Sequence, residues 1–329
     1  GRDPVADAEY VLITPEAKRV HVAAGPGERP LGTLTREEKV VGDKRILRFH
    51  ATDVPPIGGE PNMPRLGELA AHVHSSTFGS WEEVGSWYAS LARDKLAVDD
   101  EIRALARKLT KGLTDERAKV AALYHFVSNE IRYVALELGI EGIRPRRAAL
   151  TLARGWGDCK DKATLLVALL AELGIDGELV LVRTGLRGRF DPSIAGLAPF
   201  DHAIAYVPSL DLYLDGTAEH TGMGELPAMD RAAMALRVSG PAGSEKGILV
   251  TLPDPPATAS TQHRNMALTI AKDGEVRFTG TLDNQGADAS SWRRRYLDEN
   301  NRRQRVTSDL ASTFGSPAEL HTGRRGLTV

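Results

Sequence analysis

Gly155-Trp156-Gly157-Asp158-Cys159-Lys160-Asp161-Lys162 runs directly into a leucine stripe, Leu166, Leu169, Leu170 and Leu173, that ends at Gly174. The i, i+3, i+4, i+7 spacing predicts a helix over 158–173, with Asp158 as its N-cap and Asp161 at N3. Leu165, Val167 and Ala168 add apolar residues on its other sides, so this helix is expected to be central and buried nearly all round. Its first turn holds Cys159, the single cysteine among 329 residues. One cysteine excludes an internal disulfide framework and any zinc site built on cysteine pairs. The thiol is then either a small buried hydrophobe or a nucleophile. An inert cysteine would sit more naturally inside the leucine stripe. At a helix N-terminus, free backbone N–H groups and a partial positive charge favour a thiolate over a thiol, and the same N–H groups can hold an oxyanion.

A thiolate nucleophile needs a base, and the base needs an acceptor that orients it. Of nine histidines, His202 follows Pro199-Phe200-Asp201 at the mouth of an apolar strand expected over 203–207, and Asp215 closes the next, expected over 212–214. A turn centred on Ser209-Leu210 sets Val207 opposite Leu212 and Ile204 opposite Asp215. His202, two residues from Ile204, then points to the same face, one diagonal step from Asp215. A one-residue slip would put the two on opposite faces.

Outward from this centre, Glu178–Arg183 reads as a further strand, and the Gly- and Pro-containing stretch 184–200 as an arch over a cleft. Upstream, Ser80 and Glu83 have the form of a capping box ahead of Val84, Trp87, Tyr88 and Leu91. Asp99 and Asp100 open a second helix with Ile102, Leu105 and Leu109 inward. Thr114 is expected to cap a third carrying Val120, Leu123, Tyr124, Val127 and Ile131, and Pro145 to start a short fourth that stops at Gly155. In the first sixty residues, 19–22, 39–41 and 44–50 read as strands, with Gly42-Asp43 as a turn. Residues 53–67, with four prolines and three glycines, read as a linker or strap. Pro253–Pro256 marks another boundary, followed by a hairpin, 267–271 and 275–282, around Lys272-Asp273-Gly274. The polar remainder from Ala287 is expected to be helical.

Gly-Asp-Cys-Lys-Asp-Lys-Ala-Thr-Leu-Leu-Val-Ala-Leu-Leu (157–170), Leu-Gly-Ile (173–175), the Asp-His-Ala-Ile-Ala-Tyr-Val strand (201–207) and Tyr-Leu-Asp-Gly-Thr (213–217) resemble the transglutaminase-like superfamily of papain-type folds over roughly residues 80–240. The resemblance implies an α+β core, a central Cys-bearing helix on an antiparallel sheet, flanked by N- and C-terminal β segments. It divides the chain into 1–65, the end of a truncated N-terminal β-sandwich; 66–245, the catalytic core; and 257–329, a β-hairpin plus helix from a truncated β-domain. It implies Cys159 as nucleophile, His202 as general base and acid, and Asp215 as orienter. The commoner third motif has Pro after the Asp, and here Gly216 stands there. The Cys159 N–H is the first oxyanion candidate, with Tyr133 or Trp156 as side-chain donors. The implied activity is thiol-dependent acyl transfer on a peptide, protein or other amide, hydrolysis ahead of cross-linking, with no cofactor. A cell-envelope or secreted location fits the resemblance. Gly1-Arg2-Asp3-Pro4 carries no signal-peptide pattern and reads as the start of an excised fragment, with any targeting signal upstream.

Other function classes fare less well. A net charge of −2 gives no electrostatic reason for a nucleic-acid partner. The run Trp292-Arg293-Arg294-Arg295 with Arg302, Arg303 and Arg305 is interrupted by Asp298 and Glu299, and reads as a solvated helix face. No window approaches 18 consecutive apolar residues, so no membrane span is expected. A metal site from His202, Asp215 and His220 lacks a recognised ligand spacing. His72-x-His74, His125, Trp81, Trp87 and Tyr88 read as structural or solvated residues. A catalytically silent binding module of the same fold is the standing alternative to an enzyme.

Overall fold

The computed structural model describes residues 3–25, 33–136, 138–240, 243–286 and 289–314. Along the chain run β1 (Val5–Pro15), β2 (His21–Gly25), β3 (Thr33–Val41), β4 (Lys44–Val54), α1 (Leu66–Leu69), β5 (His72–Ser76), α2 (Trp81–Ala92), α3 (Asp100–Leu109) and α4 (Glu116–Glu130). Next come β6 (Arg132–Tyr133), α5 (Ala148–Arg154), β7 (Trp156–Gly157), α6 (Cys159–Glu172), β8 (Glu178–Arg183), β9 (His202–Val207) and β10 (Leu212–Leu214). The chain continues through β11 (Met234–Ser239), β12 (Lys246–Thr251), β13 (Thr261–Ile270), β14 (Val276–Gln285), α7 (Ala289–Tyr296) and α8 (Glu299–Phe314).

The leucine stripe does what its periodicity demands. Every residue of α6 from Cys159 to Leu170 is buried, and each fully buried leucine contributes roughly 1.5–3 kcal/mol. The helix packs on a five-stranded antiparallel sheet of order β10-β9-β8-β11-β12. Alternation along the strands sorts the sheet's two sides. Leu179, Leu181, Ala203, Ala205, Val207 and Leu214 join the α6 leucines in one apolar cluster. Val180, Val182, Ile204, Tyr206 and Tyr213 form a second cluster with Leu226, Ala233, Ala235 and Leu252. An antiparallel sheet with both faces covered explains why its strands read as continuous apolar runs rather than as alternating ones.

Helix α2 lies against β11 and β12. The approach is close enough that a β-carbon on Gly85 would fall 2.0 Å from the Gly247 nitrogen, so both positions must be glycine for the backbones to meet. The aromatic side of α2 pins the arch at 184–200: Trp81 sits edge-on to Phe190 and Phe200, both at 5.9 Å, and its Nε1 donates to the Pro192 carbonyl. Arg183 threads beneath, donating to the carbonyls of Gly188, Arg187 and Pro199.

Several boundaries differ from the sequence reading, each for a local reason. β1 was not expected, because it is an almost wholly exposed strand without apolar alternation; it pairs with β4, which also pairs with β3. β2 pairs with β5, so the N-terminal strands reach across the Pro-rich 53–67 stretch to the start of the helical region. Asp115, not Thr114, caps α4, accepting from the Ala118 N–H, the stronger acceptor of the two neighbours. The short α5 starts after Pro145, at Ala148. The terminal hairpin is longer than expected at both outer ends, with Gly274 at φ +88° in its turn. The C-terminal arginines are spent locally: Arg293 donates to the His220 carbonyl, Arg302 to the carbonyls of Tyr296 and Leu297, and Arg295 pairs with Asp309. No described helix is long and apolar enough to cross a membrane.

Candidate active site

The site begins with a helix start that is over-determined by charge. Asp158 accepts from the Asp161 N–H and Asp161 reaches back to the Asp158 N–H, a reciprocal capping box. Gly157 is required beside it, since a β-carbon there would lie 2.6 Å from the Asp161 Cβ. Buried charges need partners, and each has one. Lys160 Nζ pairs with Asp158 Oδ2 at 2.6 Å, and Arg146 binds Asp161 through its backbone N–H (2.7 Å) and its guanidinium (3.0 Å). Burial pushes the Asp158 carboxyl up, against the pull of Lys160. Lys162, fully buried, donates to the carbonyls of Ser128 (3.3 Å) and Ile131 (2.5 Å), where α4 ends; burial brings it down to about 8. Cys159 is thereby presented from a first turn tied to α4 and to the segment before α5.

His202 is placed by its neighbour. Asp201 takes the Thr184 N–H and hydroxyl, each at 2.8 Å, on its two oxygens, which anchors both feet of the arch and starts β9. The β9–β10 register is Val207 opposite Leu212 and Ala205 opposite Leu214, the register expected from the turn. His202 and Asp215 therefore share a side, and Nε2 lies 3.3 Å from Asp215 Oδ1, off the line of a good hydrogen bond. The Cys159 thiol is the ring's other partner. Burial alone would depress the imidazolium; Asp215 and Cys159 outweigh it and hold His202 well above its ordinary value. Burial likewise pushes Asp215 up, but His202 and the two donors of Thr217, its N–H (2.8 Å) and hydroxyl (2.7 Å), draw it below the usual carboxylate range. A β-carbon on Gly216, the position where Pro is commoner, would lie 3.3 Å from the Val127 side chain and 3.5 Å from the Lys162 Cβ.

The structure thus brings together Cys159, His202 and Asp215, which are 7%, 9% and 1% exposed. Tyr133 and Trp156 lie on a two-residue parallel ladder, β6 with β7, immediately before Cys159. Tyr133 is half exposed, and Trp156 is stacked under the Arg154 guanidinium at 5.1 Å. His220 is not part of the cluster. In its place stands Asp230, a wholly buried carboxylate on the loop between β10 and β11. Ring nitrogen and carboxylate oxygens of His202, Asp215 and Asp230 lie within 4.8 Å of one another. That spacing is within reach of a metal ion, but the His202–Asp215 pair is in direct contact and Asp215 Oδ1 is already filled by Thr217. Sequence reasoning missed Asp230 and Arg146 because neither falls at a helical or cross-strand interval from the other site residues.

Residues 103–205 match the family model of the transglutaminase-like superfamily. The match runs from α3 to β9 and so includes Cys159 and His202. A search of curated proteins finds no match. Among solved structures, the chain is similar to a "putative protease" from Parabacteroides distasonis, with TM-score 0.59 and 17% identity, over 83% of this chain and 52% of that one. It also aligns with a "putative cysteine protease" from Cytophaga hutchinsonii at TM-score 0.30 and 17% identity, over 64% of this chain and 66% of that one; a score that low does not establish a common fold. The chain spans about half the length of the first of these proteins.

Proposed function

We propose that the protein hydrolyses peptide or other amide bonds through a Cys159–His202–Asp215 triad. The observation that carries this reading is His202 held between the buried Cys159 thiol and the Asp215 carboxylate. In the proposed cycle His202 takes the thiol proton, and the Cys159 sulfur attacks the substrate carbonyl carbon. The developing oxyanion turns toward backbone N–H groups at the start of α6. His202 then gives its proton to the departing amine, leaving a thioester; water, deprotonated by His202, releases the acid and the free thiol. Asp215 holds the imidazole tautomer and stabilises the imidazolium. Water is the proposed acceptor because it needs no second binding site, whereas cross-linking needs one for an acceptor amine.

The low exposure of Cys159 and His202 favours a second reading, a non-catalytic module that keeps the fold and binds a partner. Alkylation by iodoacetamide across pH, together with a panel of peptide-amide substrates, separates the two. The triad predicts rapid, pH-dependent labelling of Cys159 that weakens in His202→Ala, and turnover that is lost in Cys159→Ala. Equal labelling of wild type and His202→Ala overturns it.

A further inference from the structure

Beside His202 and Asp215, with one oxygen within 4.8 Å of a ring nitrogen and a carboxylate oxygen of theirs, lies a carboxylate the cycle above does not use. Asp230 is 0% exposed, and neither of its oxygens has a hydrogen-bond donor among the described residues. Asp215 Oδ2 is in the same condition. Two neighbouring buried carboxylates, both ionised and with three of their four oxygens lacking donors, would combine a desolvation cost with like-charge repulsion. One proton resolves both faults. If Asp230 is a carboxylic acid, its O–H satisfies Asp215 Oδ2, and the pair keeps a single negative charge, the one His202 needs.

We propose that Asp230 is a positioning residue of the active site: a neutral acid that donates a hydrogen bond to Asp215 Oδ2 and so keeps Oδ1 turned to His202 and Thr217. This inference rests on the triad reading above. The backbone prepares Asp230 for the role. Its N–H donates to the Pro227 carbonyl at 2.9 Å and its own carbonyl accepts from Ala233, which locks the turn that delivers the side chain. The groups that face it are Asp215, His202 and Asp201; the positive charge of His202 pulls against the two carboxylates but is paired with Asp215, and the neighbouring Arg231 is turned away onto the Leu226 carbonyl at 3.1 Å. Burial first and then the Asp215 charge push Asp230 up to about 7, so the acid form is populated up to neutral pH. The arrangement differs from a dyad of two reacting carboxyls, because Asp230 touches neither the thiol nor a substrate and acts through Asp215 alone.

The test uses the pH profile of Cys159 alkylation in wild type, Asp230→Ala, Asp230→Asn and His202→Ala, with infrared difference spectra of wild type against Asp230→Asn. Alanine removes the donor, and labelling at neutral pH should slow about tenfold with a displaced profile. Asparagine restores an N–H donor without a charge and should recover most of that loss and the wild-type profile. Wild-type protein should show the carbonyl stretch of a protonated carboxylic acid, absent in Asp230→Asn. Wild-type labelling in Asp230→Ala overturns the proposal, as does an Asp230→Asn enzyme as impaired as the alanine variant, which would mean that the charge matters. A stoichiometric divalent ion that leaves with Asp230→Asn also overturns it, in favour of a metal site. If His202→Ala labels like wild type, the triad itself fails; the infrared band then decides the proton on Asp230 independently, and Asp230→Ala carries the folding control by far-UV circular dichroism.

Discussion

Thr217 holds Asp215 twice on one oxygen: its N–H and its hydroxyl donate to Oδ1 at 2.8 and 2.7 Å, the oxygen that faces His202 Nε2 at 3.3 Å. Removing the hydroxyl while keeping the shape tests how much of the carboxylate's orientation it supplies. Thr217→Val should slow Cys159 alkylation by roughly 10- to 100-fold, the range for one lost bond to a charged group. Thr217→Ser should restore it; equal rates in both variants would assign the orientation to the backbone N–H alone.

The contact between α2 and β12 depends on two glycines. Gly85→Ala would drive a β-carbon to 2.0 Å from the Gly247 nitrogen, so the elements must separate, at a cost of about 1–3 kcal/mol or more. Gly79→Ala, whose β-carbon meets only the flexible Glu83 carboxylate at 3.4 Å, is the control. Urea midpoints should fall in the first variant and stay near wild type in the second.

Lys162 gives a signature at alkaline pH. Its folded value is near 8 and its ordinary value 10.5, so between those limits the unfolded chain holds a proton that the folded chain has released. Stability from this residue therefore rises with pH across that window and is flat outside it. In Lys162→Met the rise should disappear. The carbonyls of Ser128 and Ile131 also lose their donor, so the variant should be less stable than wild type. Urea titrations at pH 7.5 and 10 read both effects.

Asp230 acts with the opposite sign. Between 3.8, the ordinary carboxylate value, and about 7, the folded chain keeps a proton the unfolded chain has lost, so this group's contribution falls as pH rises through that window. The difference in unfolding free energy between wild type and Asp230→Asn should therefore move against wild type from pH 4 to pH 7 and level off above. A difference that does not vary with pH would show Asp230 titrating in its normal range.

The parts of the fold that carry strong periodicity were legible from residues alone. The α6 stripe, the exact span of β8, and the β9–β10 register that sets His202 beside Asp215 all follow from local patterns that tertiary packing reinforces. The misses share a physical cause. β1 is almost wholly exposed and so carries no apolar alternation to read, and the β2–β5 pairing joins segments separated by the Pro-rich stretch. Asp230 reaches the site through an irregular loop, where no period relates position to direction. Arg146, bridging from ahead of α5 to Asp161, is invisible for the same reason.

The strand order β10-β9-β8-β11-β12 sends the chain from β10 at one edge back past β9 and β8 before β11 can pair. Asp215 stands at the start of that return path and Asp230 close to its end. Helix α6 and strands β8 to β10 are consecutive in sequence, so their contacts close over shorter loops than the β8–β11 pairing does, and long-range pairings form more slowly. On a ribosome, a chain that has emerged only through β10 can set thiol, imidazole and the first carboxylate side by side. Asp230 stands four residues before β11, so it joins Asp215 and His202 only when β11 pairs with β8.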